Sequence, residues 1–202
     1  VLILKSNYIQ IVYNPNKKGY ILIRLGSNSP TRAIILKNFG IDFIQNGGDF
    51  DEDSIITTNP KSFCYEATIG KFDELYKKHG IKDMPLLVAD SVVTCEGKLL
   101  RKAKDLADAK AMLELQSGNK TSVITCMIYK SKEKELIDIS ITTYEFEKFD
   151  KNHMQEYLDS GECFGKAGAI MVEGFCKPYI KSVTGYESTA MGLCVEKLKP
   201  YL

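Results

Sequence analysis

Five segments of the chain have the residue pattern of β-strands. They are rich in β-branched and aromatic residues and cover residues 8–13, 20–25, 86–93, 121–129 and 135–149. Turn-forming residues occupy 14–19, between the first two. The segment 86–93 is almost continuously apolar, as expected of a strand buried on both faces. In the last segment Ile137, Ile139 and Ile141 alternate with polar residues, which is typical of a strand.

Helical spacing and capping residues predict helices between these strands. The predicted helices cover about residues 30–39, 60–78, 105–116, 152–158 and 189–199. Ser29 suits the N-cap of the first helix and Gly40 its C′ position. The buried side of that helix is predicted to consist of Ile35, Leu36 and Phe39. Residues 41–59 are acidic and irregular. This order of elements predicts an α/β fold in which helices flank a mixed sheet.

The charge balance excludes some classes of partner. The 202 residues include 27 Lys and Arg and 26 Asp and Glu, for a net charge of +1. This balance argues against nucleic-acid coating and against adhesion to an acidic membrane. No apolar run approaches the ~20 residues of a membrane helix, and the first ten residues lack the pattern of a signal peptide. We therefore expect a globular domain without a nucleic-acid or membrane partner.

Cysteine and histidine usage narrows the possible chemistry. The six cysteines are scattered without CxxC spacing, and there are only two histidines. This argues against a zinc site and against a Cys–His nucleophile pair. Single cysteines on apolar stretches fit a reducing cytoplasm. Catalysis would therefore depend on carboxylates, lysines, arginines and hydroxyls.

The loop before the first helix has the composition of an anion site. Free N–H groups at a helix start attract anions, and Arg32 adds a forked donor beside Ser27 and Ser29. An ordinary capped helix explains this segment equally simply, and taken alone it is the better explanation.

Two carboxylates, Asp90 and Glu52, are candidates for metal binding, and Asp90 is also a candidate base. Asp90 interrupts an apolar strand pattern, which is costly unless it faces a cleft as a metal ligand or base. The alternative is an edge aspartate bonded to a loop. Glu52 lies in the acidic stretch 49–53, which could supply a Mg²⁺ ligand or be a solvated loop.

Three further segments could contact a substrate. Lys71 on a helix and Lys102 before another could each bind a polyphosphate, although each alone is more often a solvated lysine. The glycines of 166–174 would let a flat ligand approach, with Glu173 accepting hydrogen bonds from a base edge. A strand with glycine bulges is the alternative.

Together these segments resemble the Maf family of nucleoside triphosphate pyrophosphatases, once called septum-formation inhibitors. The resemblance is carried by residues 26–32, 51–52, 67–71, 89–93, 102–103, 112–118, 166–169 and 185–194. It covers about residues 21–202 as a single domain. The resemblance implies an elongated, two-lobed, inosine-triphosphatase-like α/β fold with a central cleft.

Some positions depart from the family pattern. The resemblance links Thr31, Ser91 and Glu173 to base choice, and Glu173 stands where thymidine- and uridine-preferring members usually carry glutamine. Other departures are Ala103, Thr121 and Cys194. Residues 1–20 precede the family's usual start and represent an extension, a segment introduced by cloning or an early start codon.

The resemblance implies hydrolysis of a nucleoside triphosphate to a nucleoside monophosphate and pyrophosphate. Glu52 and Asp90 would hold Mg²⁺ or Mn²⁺, or Asp90 would itself act as the base on water. The triphosphate would be bound by Ser27, Ser29, Arg32, Lys71 and Lys102. The resemblance also implies a homodimer, removal of non-standard nucleotides and a link to cell-division arrest.

Two other functions compete with this one. A nucleotide-binding regulator of septum formation with weak catalysis is favoured by the residues at 31 and 121. The retained acidic and basic residues argue against it, because binding alone needs no metal-and-base pair. A nucleic-acid-binding module is disfavoured by the net charge and by the lack of an aromatic and basic stripe.

Overall fold

The computed structural model describes residues 21–202, so the strand and turn predicted within 1–20 lie outside the described residues. The strands are β1 (Leu22–Leu25), β2 (Asp42–Gln45), β3 (Leu86–Cys95), β4 (Lys98–Leu100), β5 (Lys120–Lys130), β6 (Glu135–Phe146) and β7 (Ile180–Thr184). The helices are α1 (Pro30–Asn38), α2 (Pro60–His79), α3 (Leu106–Gln116), α4 (Lys151–Ser160), α5 (Glu187–Ala190) and α6 (Val195–Leu198). Short 3-10 turns cover Glu52–Ser54, Lys177–Tyr179 and Lys199–Tyr201. Within residues 21–202, every helix is too short or too polar to cross a bilayer.

The strands form one seven-stranded mixed sheet, which confirms the predicted fold class. Its order is β2-β1-β3-β5-β6-β7, with β4 paired to β3. β1 is parallel to β2 and β3, and the remaining pairs are antiparallel. After β1 the chain passes through α1 to β2 on one side, then through α2 to β3 on the other. Sheets of this kind form a ligand crevice where the strand order reverses, at the carboxyl end of β1.

Strand β3 borders that crevice because its edge is covered only in part. β1 pairs with Leu86 and Leu87, and β4 pairs with residues 93–95. Among the described strands, none pairs with residues 88–92 on this edge. The other edge is covered by β5 along the whole length of β3. The sheet therefore opens beside the middle of β3.

Helices α1 and α2 pack on opposite faces of the sheet. Leu36 of α1 packs on the face of Leu87 and Ala89, whereas Leu75 of α2 packs on the face of Val88. A further core, with α3, α4 and several aromatic rings, lies around the far end of β3 and β5. The long strand β5 contributes to all of these cores, with Val123 at the far end, Met127 on the α1 face and Ile128 on the α2 face.

Several sequence predictions were wrong in detail. Ala33, not Phe39, completes the buried side of α1, and Phe39 is 40% exposed. The segment 41–59 is not irregular throughout, because it contains β2, which pairs with β1. The predicted last helix is divided into α5 and α6 around Gly192, which has a φ of 102°.

Candidate active site

A cavity of about 610 Å³ lies where β1 ends and the edge of β3 is uncovered. All ten residues singled out from the sequence line it: Ser27, Ser29, Thr31, Arg32, Glu52, Lys71, Asp90, Ser91, Lys102 and Glu173. They come from six separate parts of the chain. The structure therefore brings the candidate residues together, while their individual roles stay predictions.

The loop between β1 and α1 is built around Arg32. Ser29 caps α1 by accepting a hydrogen bond from the Arg32 N–H at 3.4 Å. The Arg32 guanidinium donates to Ser27 Oγ at 2.9 Å, to Ser91 Oγ at 3.2 Å and to the Gly192 carbonyl at 2.7 Å. Burial lowers the pKa of Arg32, and the charge of Asp90 opposes that shift. An arginine nevertheless stays protonated, so the loop carries a fixed positive charge.

Gln45 supports this loop and was not singled out from the sequence. Its side-chain amide donates to the carbonyls of Ser27 and Ser29, at 2.8 and 3.1 Å. Because Gln45 of β2 holds both carbonyls, it also fixes the orientation of the loop's N–H groups. The amide could not be recognised without β2, whose pairing with β1 places Gln45 next to Leu25.

Lys71 joins the two predicted catalytic carboxylates. Its ammonium group donates to Glu52 Oε1 at 2.6 Å and also to Asp90 Oδ1. Burial raises the pKa of Glu52, but the hydrogen bond and charge of Lys71 outweigh burial and lower it. Burial lowers the pKa of Lys71, but the charges and hydrogen bonds of Asp90 and Glu52 raise it. Glu52 and Lys71 are therefore both charged near neutral pH.

Arg101 is a second cation beside Glu52. Its guanidinium lies 3.6 Å from Glu52 Oε2 and 2.8 Å from Asp53 Oδ1, and it covers the Phe63 ring at 4.9 Å. The sequence signal was the basic patch 101–104, in which only Lys102 was singled out. Lys102 lines the cavity and adds a smaller contribution to the lowered pKa of Glu52.

The segment 164–173 forms the opposite wall. Its Gly168 N–H donates to the Arg101 carbonyl at 2.9 Å, and a β-bridge links Lys102 to Ala167. The side-chain amide of Gln116, at the end of α3, donates to the Gly168 carbonyl at 2.8 Å. A Cβ at Gly168 would come within 3 Å of Val93, and its φ is 63°, so glycine is required there. Glu173 is exposed at the rim of this wall.

The two carboxylates fit a divalent cation whose other ligands are phosphate and water. Glu52 and Asp90 face the same point, where the Lys71 ammonium group pairs with both carboxylates. Within residues 21–202 no group of three or more Asp, Glu, His or Cys side chains could hold a metal. Mg²⁺ commonly uses one or two carboxylates and takes its remaining ligands from phosphates and water. Two carboxylates beside an anion loop satisfy that requirement.

The fold and the site define an α/β protein with a cation-lined cleft at a reversal of strand order. Residues 22–202 match the family model described as Maf-like protein, and the chain belongs to that family. A Nitratiruptor protein named nucleoside triphosphate pyrophosphatase is 51% identical over 179 residues, which are 88% of this chain and 96% of that protein.

Two further relatives carry the same name. A Helicobacter pylori protein is 40% identical over 174 residues, which are 86% of this chain and 91% of that protein. A Campylobacter jejuni protein is 36% identical over 183 residues, which are 90% of this chain and 100% of that protein. The family resemblance predicted from the motifs is therefore confirmed.

Proposed function

We propose that this protein hydrolyses nucleoside triphosphates to nucleoside monophosphates and pyrophosphate with the help of Mg²⁺ or Mn²⁺. The observation that carries the proposal is the convergence of Glu52, Lys71 and Asp90 in one cavity with Arg32 and Lys102. The names of the three relatives support the same reaction.

The cationic residues would bind the triphosphate. Arg32 is held by three hydrogen bonds and keeps its charge next to the N–H groups that begin α1. Lys102 is exposed at the cavity and adds a mobile point charge. Such preorganised donors stabilise the charge that develops on phosphate oxygens during transfer. Ser27 and Ser29 complete this end of the site.

The carboxylates would perform the chemistry. Glu52 and Asp90 would hold the divalent ion, which supplies charge neutralisation at the attacked phosphate. Asp90 would accept the proton of the attacking water. The water oxygen forms a bond to the α-phosphorus, the bond from that phosphorus to the bridging oxygen breaks, and pyrophosphate leaves. Lys71 would be available to contact the phosphates, because Glu52 and Asp90 would hold the ion in its place.

The choice of base would involve Thr31, Ser91 and Glu173, which line the same cavity. An ionised Glu173 accepts hydrogen bonds but cannot donate them, whereas glutamine does both. We therefore expect weakened pyrimidine preference. Glu173→Gln should change the relative rates across a panel of nucleoside triphosphates and leave the metal dependence unchanged. An identical substrate profile would remove Glu173 from base recognition.

From the family resemblance we also infer that the protein forms a homodimer and is located in the cytoplasm. We further infer that it removes non-standard nucleotides and is linked to cell-division arrest. The main test is to incubate the protein with normal and modified nucleoside triphosphates plus Mg²⁺ or Mn²⁺, and to measure pyrophosphate release with and without a chelator. Tight nucleotide binding without release would instead support a nucleotide-binding regulator.

A further inference from the structure

Phe164 is an exposed aromatic ring on the wall of a polar cavity. It lines the cavity with 41% of its surface exposed. The turn that carries it is well defined, because its N–H donates to the Gly161 carbonyl at 3.1 Å and glycines with positive φ stand at 161 and 165. Phe164 is therefore held at the cavity by a defined backbone turn.

The Phe164 ring makes none of the ring-to-ring contacts that join the other aromatic residues in this part of the structure. Within residues 21–202, the ring contacts of this lobe join Phe149, His153, Tyr157, Phe175 and Tyr179, but do not include Phe164. A Cβ added at Gly165 would meet no atom within 4 Å outside its two chain neighbours, so there is open space at the residue that follows Phe164. The ring is not part of the packed aromatic core.

The cavity is also lined by apolar side chains, in addition to Lys166 and Glu173 of the 164–173 wall. Val93, Val123, Ile170 and Val172 line the cavity together with Phe164. Arg32, Lys71 and Asp90 come from α1, α2 and β3, and Glu52 comes from the 3-10 turn Glu52–Ser54. A ligand that fits both sets of side chains has a polyanionic part and a flat, largely apolar part.

We propose that Phe164 is the platform on which the nucleobase of the substrate stacks, a role that rests on the proposed nucleotide chemistry. Stacking on an aromatic ring tolerates any base, because every base has a π-face. Phe164 thus supplies base affinity without base identity, whereas the predicted role of Glu173 is to distinguish base edges. Purine nucleotides, with the larger rings, gain most from this contact.

The first experiment separates the base from the phosphates. Phe164→Ala should raise KM for all nucleoside triphosphates by roughly 10- to 100-fold, with kcat changed far less. Inhibition by inorganic tripolyphosphate, which has no base, should be unchanged. Phe164→Tyr should retain most of the affinity. An unchanged KM, or an equal loss of tripolyphosphate inhibition, would overturn the proposal.

Phe39 provides a matched control. It has almost the same exposure, 40%, but lies at the C-terminal end of α1 beside Lys199 and does not line the cavity. Phe39→Ala should therefore leave both KM and tripolyphosphate inhibition unchanged. An equal rise of KM in Phe39→Ala would show that loss of any exposed ring has the same effect, and would contradict a specific platform.

The second experiment detects stacking without turnover. The chain contains no tryptophan, so Phe164→Trp introduces a single indole. Its fluorescence should be quenched by a non-hydrolysable nucleoside triphosphate and not by tripolyphosphate, while Phe39→Trp responds to neither. No quenching in a folded Phe164→Trp protein would overturn the platform. Quenching without pyrophosphate release by the wild type would instead overturn the proposed hydrolysis and leave the platform intact.

Discussion

Lys71 sets the charge of the candidate active site. Its ammonium group lies between Glu52 and Asp90 and is partly shielded from solvent. Its hydrogen bond and charge lower the pKa of Glu52, although burial alone would raise that pKa. Lys71 therefore keeps Glu52 ionised, which is the state needed to bind a cation.

Asp90 should be required for turnover and not for folding. Asp90→Asn retains the shape but removes the charge and the basic lone pairs. We expect kcat to fall by roughly two or more orders of magnitude, the scale of general-base catalysis. The melting temperature should be maintained or increased, because burying a carboxylate is costly. Melting temperature and pyrophosphate release should be measured on the same sample.

Asp53 is the matched control for that substitution. Its side chain is 83% exposed and pairs with Arg101, and exposed ion pairs contribute little. Asp53→Asn should retain kcat within about twofold. A folded Asp90→Asn protein with near wild-type turnover would contradict the mechanism, and reduced stability with full activity would make Asp90 a structural residue.

The pKa shift of Glu52 predicts a specific pH dependence of stability. Its folded-state pKa is below the ordinary value of 4.5, so the folded state binds fewer protons there than the unfolded state. The ion pair with Lys71 therefore stabilises the fold fully above about pH 4.5 and is lost as the pH falls through the lowered pKa. The unfolding free-energy difference between wild type and Glu52→Gln should shrink below pH 4.5 in urea titrations. A difference that is constant with pH would exclude this linkage.

Helix α2 positions the segment that carries Glu52. Glu74 accepts a hydrogen bond from the Asp49 N–H at 3.1 Å, and the Phe50 ring packs directly on Gly70. Lys71, the next residue of α2, then binds Glu52. The sequence offers no periodic signal for this segment, because it is held by one face of a helix and not by its own backbone pattern.

Gly70→Ala should test that arrangement. An added methyl would come closer than 3 Å to the Phe50 ring, so the segment must move. Because a 1 Å displacement of a reacting group can cost 100-fold, we expect kcat/KM to fall by roughly 10- to 100-fold. Alanine's helix propensity, about 1 kcal/mol better than glycine's, should limit any loss of melting temperature.

A second-site change distinguishes displacement from general damage. In Gly70→Ala with Phe50→Leu, the smaller side chain leaves room for the methyl group, and activity should return at least to that of Phe50→Leu alone. Failure to recover, or full activity in Gly70→Ala, would show that packing of Phe50 on α2 does not position Glu52.

Local signals predicted some elements well and others poorly. The two ends of α1 were predicted because Ser29 acts through its own side chain and Gly40 through its own backbone. β2 was missed because its four residues are stabilised by pairing with β1. Ile137, Ile139 and Ile141 show the correct strand period, yet they are 37–49% exposed, while Ser140 and Thr142 are buried under α5 and α6. Period alone does not say which face is covered.

In the candidate active site, too, residues with a local sequence signal could be predicted, and residues that depend on distant neighbours could not. Asp90 could be predicted because a carboxylate in an apolar strand is anomalous by itself. Gln45, Arg101 and Phe164 could not, because their significance depends on neighbours that only the fold brings close.

At the scale of the whole molecule, the cleft lies where the α1 face of the sheet meets the core around α3 and α4. The Arg101 carbonyl to Gly168 hydrogen bond and the bridge from Lys102 to Ala167 join the walls at one end. Arg32 joins the β1–α1 loop to Gly192 near the C-terminal helices at another. A nucleotide that contacts both walls would add a third connection and should stabilise the molecule as a unit.

This stabilisation predicts a thermal shift that separates binding from catalysis. At a concentration of 100 Kd, a ligand specific for the folded state contributes about 2.7 kcal/mol. In a domain of this size that corresponds to a rise in melting temperature of about 5–10 °C. A non-hydrolysable nucleoside triphosphate with Mg²⁺ should therefore raise the wild-type Tm by that amount. Asp90→Asn should retain most of the shift, because the phosphate-binding cations remain, whereas Arg32→Ala should lose it even after its own lower starting Tm is subtracted. A full shift in Arg32→Ala would place the phosphates elsewhere, and loss of the shift in Asp90→Asn would mean that the metal ligands, and not the cations, provide most of the nucleotide affinity.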